Sequence, residues 1–97
     1  MIKIYKYPLA WDHSGFATFE APPGNLLKVA WREGAPGIRG YYAWIEHQTD
    51  LNVVFPYNFC LVMTGQELSD AFPQHWEYVD TLFIDWLVGH VFRKIGS

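Results

Sequence analysis

Residues 24–46 read GNLLKVAWREGAPGIRGYYAWIE, two alternating runs on either side of a glycine-rich bend. In the first run Leu27, Val29 and Trp31 fall on one side and Lys28, Ala30 and Arg32 on the other. In the second, Tyr41, Ala43 and Ile45 oppose Tyr42, Trp44 and Glu46. A repeat of two sends successive side chains to opposite faces of an extended chain, so both runs read as half-buried strands. The segment between them, residues 33–40, holds three glycines and a proline and reads as a hairpin loop. Antiparallel β-structure follows from this stretch.

Working outward, Ile2, Ile4 and Lys6 alternate with Lys3, Tyr5 and Tyr7 in a first strand closed by Pro8. Residues 16–21 form a second short strand, ended by the turn Pro22-Pro23-Gly24. Pro56 separates Val53–Phe55 from the run NFCLVM, and proline has no N–H to give a central strand. Val53–Phe55 is therefore read as an edge or a loop. Thr64-Gly65 is a turn, and Pro73 limits any helix to at most one short turn near 68–72. EYVDTLF and WLVGHVFRK read as paired strands around Ile84-Asp85. The predicted fold is all-β, a small antiparallel sandwich or partly open barrel, in a single domain over 1–97.

The chain carries five Trp, six Tyr and seven Phe, 19% of its 97 residues. That is more ring surface than one small core absorbs, so some rings are expected to face a partner or a sister subunit. Net charge is −3 and the seven basic residues are scattered, with only Arg93 and Lys94 adjacent. This argues against non-specific nucleic-acid binding, which needs clustered cations. A single cysteine, Cys60, excludes an internal disulfide and fits a reducing compartment. No apolar run approaches the length of a membrane span. The expected location is the cytoplasm.

The segments KIYKYPL, GNLLKVA, YAWI, LVMTGQEL, YVDTLF and WLVGHVF occur in an order that resembles a family of short proteins encoded mainly by bacteriophages and prophages. The resemblance runs from about Lys3 to Phe92 and implies a compact β-rich domain in a host bacterium. The family is defined by sequence rather than by an activity, so it supplies no catalytic residues. This chain departs from the pattern in HQTDLNVVFPYN and in the turn around Gly34–Gly40.

Catalytic constellations are missing from the sequence. His13, His47, His75 and His90 have no metal-ligand spacing, and Cys60 has no cysteine neighbour. Cys60 lies in an apolar run, where a thiol acts as a small hydrophobe. Ser14, Ser69 and Ser97 lie in no nucleophile motif, and Asp80 and Asp85 read as solvated strand ends. His90 reads as a half-buried imidazole satisfied by a single hydrogen bond. No enzyme, metal or cofactor is expected.

Two binding functions fit. One is a phage-type accessory protein that covers a host or viral protein, with Trp31, Tyr41, Tyr42, Trp44 and Trp76 as anchors. The other is a homo-oligomer that sequesters a small nucleotide-type ligand between Arg32, Arg39 and the neighbouring rings. A minor structural or assembly role in a virion is the third.

Overall fold

The computed structural model describes residues 1–33, 39–48, 52–84 and 87–95, with only the backbone described at 33, 39 and 84. Its strands in chain order are β1 (Ile2–Leu9), β2 (Phe16–Ala21), β3 (Gly24–Glu33), β4 (Arg39–Gln48), β5 (Phe55–Met63), β6 (Trp76–Ile84) and β7 (Leu87–Lys94). One helical turn, α1 (Phe72–His75), precedes β6. The strands form two antiparallel sheets, ordered β1-β4-β3 and β2-β5-β7-β6. Packed together they measure 42 × 38 × 20 Å, a two-layer sandwich rather than a barrel.

Strand alternation builds the core. Leu9, Val29 and Ala43 from the three-stranded sheet meet Ala17, Phe59, Leu82 and Val91 from the four-stranded one. At one end of the sandwich the filling is aromatic. Tyr7, Phe19 and Tyr57 stack in series, with centroids 4.7 and 5.1 Å apart and interplanar angles of 8° and 12°. These rings come from β1, β2 and β5, so the ladder ties the sheets together.

The crossover between β2 and β3 is fixed at the same end. The Tyr57 hydroxyl donates to the Pro22 carbonyl at 2.7 Å. His47 Nδ1 lies 3.3 Å from the Pro23 carbonyl, and its Nε2 lies 2.8 Å from the Tyr7 hydroxyl. A carbonyl can only accept, so Nδ1 carries the proton and Nε2 accepts from Tyr7. Burial first, then the nearby Tyr57 and Tyr5, raise the Tyr7 pKa and hold it as a donor. His47 is 2% exposed, the one buried polar side chain among the described residues.

Four local expectations are corrected. Leu27 does not share the Val29 face: a bulge between Leu26 and Lys28 puts Leu26 opposite Ile45 and leaves Leu27 exposed. Pro8 does not end β1, which continues to Leu9, because β1 is an edge strand with one side free. Pro56 lies inside β5 opposite Glu20. The β7 partners of β5 begin only at Phe59, so β5 is unpaired on that flank where the proline falls. The helical turn lies at 72–75 rather than near 68–72, because Pro73 fits the first turn of a helix.

Gly24 abuts the crossover. A Cβ there would sit 2.0 Å from the Glu46 carbonyl oxygen and 2.8 Å from His47 Nδ1. We expect Gly24→Ala to cost at least about 2 kcal/mol, read as a lower melting temperature by circular dichroism. Gly40→Ala, whose Cβ would meet nothing within 4 Å, should melt close to the parent.

Candidate functional site

The two outer faces of the sandwich differ in what covers them. The connection from β5 to β6 crosses the outside of the four-stranded sheet, because β7 lies between those strands. Phe72 of α1 meets Phe92 edge-on at 4.9 Å and stacks near Trp76 at 6.1 Å, and Phe16 and Tyr78 extend the cluster. Beneath it Cys60 is buried, and desolvation pushes its thiol up to about 11. That environment suits a hydrophobe rather than a nucleophile.

His90 sits on this covered face, half-buried, with Val91 turned into the core beside it. Its Nε2 lies 2.8 Å from Thr64 Oγ1 and its Nδ1 3.0 Å from Thr81 Oγ1. Thr81 continues to the Tyr78 hydroxyl at 2.5 Å. Both ring nitrogens are thus used, one more than the sequence suggested, and the chain of hydroxyls ties the crossing segment to the sheet. Gly89 lets Leu61 pack over β7, since a Cβ there would be 2.8 Å from Leu61 Cδ1.

The outside of the three-stranded sheet has no described element packed over it. Register sets its rows: Lys6, Trp44 and Lys28 across the middle, Pro8, Tyr42 and Ala30 beside them, and Ile4, Glu46 and Asn25 on the other flank. Tyr42 and Trp44 are half-buried, with centroids 6.2 Å apart. Lys6 Nζ stands 4.6 Å from the Tyr42 centroid. Lys28 Nζ reaches Asp80 on β6 at 2.7 Å, and Arg32 is exposed on the same face by alternation.

Charge is unevenly distributed over the chain. β1, β3 and β4 hold Lys3, Lys6, Lys28, Arg32 and Arg39 against Glu33 and Glu46, five basic and two acidic residues, a net of +3. The chain totals −3, so the remainder carries −6. Bases that are scattered in sequence are collected by strand pairing.

The predicted anchors therefore fall in three places. Tyr42 and Trp44 share the open face with Arg32. Trp31 and Tyr41 are paired on the opposite, inward side, where Trp11 meets Tyr41 edge-on at 5.4 Å. The Trp11 Nε1 is buried with no hydrogen-bond partner among the described residues. Trp76 lies on the covered face of the other sheet and lines an open cleft of about 300 Å³ with Phe16, Asn58 and Lys94. A second cleft, of about 420 Å³, lies between Pro23, Tyr57 and Arg93, whose guanidinium is held by Glu77. The side chain of Arg39 and the loop 34–38 lie outside the described residues. Sequence reasoning missed Lys6 and Lys28 as companions of the rings, and His47 as a core residue. The inward series Ala43, Ile45 carries on to His47 at the same period, a signal that was available.

The architecture defines a small two-layer antiparallel β-sandwich, one outer face partly covered by its own chain around Phe92 and Trp76. Within that class, the chain belongs to the family described as a domain of unknown function, DUF7352, whose profile matches residues 1–97. No curated protein and no solved structure matches it. No helix among the described residues is long and apolar enough to cross a membrane.

Cys60 should resist alkylation until the protein unfolds. Its folded pKa of about 11 lies above the ordinary 9.0, so its contribution to stability is full below pH 9 and is lost as pH rises through 11. Tyr7, Tyr41 and Tyr57 are raised in the same direction. Denaturation across this range should show the loss, and Cys60→Ala should remove the thiol's share of it. Thr81→Val, which breaks the hydroxyl chain at its middle, should cost about 1–2 kcal/mol in a urea titration.

Proposed function

We propose that the protein is a non-catalytic accessory protein of phage or prophage type, and that it binds a macromolecular partner through the outer face of its three-stranded sheet. The observation that carries this reading is the grouping of rings and cations on one sheet face. Strand pairing sets Tyr42 and Trp44, both half-buried, beside Lys6, Lys28 and Arg32, with no described element packed over them. Rings flanked by long cations are a common composition for recognition surfaces.

The small-ligand alternative draws less support. Its four rings point to opposite sides of the sheet and so do not close around one molecule. The clefts named above open at strand ends away from Tyr42 and Trp44. Burial holds Cys60 as a thiol.

Affinity capture from lysate of an infected or prophage-carrying bacterium tests the reading, with the parent and a Tyr42→Ala/Trp44→Ala variant compared side by side. Whatever the parent retains should be lost from the variant, while Phe83→Ala on the other sheet retains it. Retention by the double variant places the binding surface elsewhere and rejects the proposal.

A further inference from the structure

We infer that the partner seated on this face is a single-stranded nucleic acid, its bases stacking on Tyr42 and Trp44 and its phosphates meeting Lys6, Arg32 and Lys28. The inference rests on the open face being the binding surface and goes beyond it by naming the partner's chemistry.

Three observations favour that chemistry. First, the rings are embedded in cations: Trp44 stands in register between Lys6 and Lys28, and Arg32 lies beyond Ala30 on the same side. Bases offer a π-face to such rings whatever their sequence, and the adjacent phosphates need the cations. Second, lysines are depleted from the buried centres of protein interfaces, yet here two flank the central tryptophan. A folded protein partner would have to desolvate them. Third, the outward side of the sheet that bears the rings holds Lys6, Lys28 and Arg32 against Glu46, three cations to one anion, in a chain of net −3. A second copy placed face to face would set like charges against each other, whereas a polyanion is drawn to this side and repelled by the rest. The overall charge disfavours indiscriminate coating of duplexes and leaves a single oriented face.

Magnitudes allow the exchange. The Lys6 ammonium over Tyr42 is a weak contact at an exposed site. A base stacked on the same ring contributes more than that contact, and the displaced lysine turns to a phosphate. The Lys28–Asp80 pair is exposed at its lysine end, 61% accessible against 26% for Asp80, and the carboxylate keeps the Thr81 N–H when Lys28 turns away.

Fluorescence anisotropy with labelled dT20 and dA20 at 50 mM salt, run beside mononucleotides, duplex DNA and size-exclusion chromatography, tests the inference. Binding to both oligonucleotides is expected, well above that to duplex or to mononucleotides. Two or three phosphate contacts predict a log–log salt slope between about −1.4 and −2. Trp44→Leu and Tyr42→Leu, which keep an apolar side chain on the sheet, should each weaken binding by about tenfold or more. Lys6→Glu, an exposed change that does not touch the core, should weaken it and flatten the slope, and Phe83→Ala should leave it unchanged. The inference is overturned by any of three results: no binding of the parent at tens of micromolar protein, equal affinity for mononucleotides or duplex, or affinity indifferent to Lys6→Glu and Trp44→Leu. A dimer with Trp44 at its seam, or a protein captured by the parent and lost from the Tyr42→Ala/Trp44→Ala variant, would also overturn it while leaving the open face as the binding surface.

Discussion

The sandwich depends on how the chain passes from one sheet to the other at Pro22-Pro23-Gly24. Two consecutive carbonyls in this part-buried crossover are each taken by a side chain from a different sheet: Tyr57 for Pro22 and His47 for Pro23. A buried acceptor left alone costs about 1–3 kcal/mol, so the pair is a constraint on the whole arrangement and not an ornament of one loop. Tyr7 closes the set by donating to His47, and its ring begins the stack through Phe19 to Tyr57. Proline suits the position because it supplies a carbonyl without an N–H that would also need burying. Glycine follows because the backbone of β4 runs alongside with no space for a Cβ.

Most of the fold was legible from local patterning. The period-two runs at 24–32 and 41–46 and the breaks at Pro22 and Gly65 each depend on a few neighbouring residues, and the strands formed where those rules pointed. The failures share a cause. Whether a proline is tolerated depends on which flank of a strand is paired, and that is a property of strand order. Pro8 and Pro56 both fall where one flank is free. The bulge beside Leu27 likewise arises from matching two strands and cannot be seen in either alone.

The candidate site was legible only in its parts. Tyr42, Trp44 and Arg32 were visible as ring and cation candidates, but so were Trp31 and Tyr41, which alternate to the other side of the same strands. Lys6 is 38 positions from Trp44 in sequence, and only the antiparallel pairing of β1 with β4 makes them neighbours. Counting charge along the chain gave a scattered picture because sheets are assembled from distant segments. His90 shows the reverse: its strand was read well, but the hydroxyls that hold it come from Thr64 in the β5–β6 connection and Thr81 on β6.

The irregularities at Leu26/Lys28 and Tyr78/Asp80 bear on assembly. They lie on β3 and β6, which are outermost strands of their respective sheets. An outermost strand with an unbroken row of amide groups is a template on which another copy can grow. A bulge interrupts that row and coils the ribbon away from flatness. β1 on the opposite margin carries Lys3, Lys6 and Pro8, and β2 is only six residues long. Each margin thus carries its own obstacle to end-on growth, which favours discrete particles over fibrils in a chain otherwise rich in aromatic, β-forming residues.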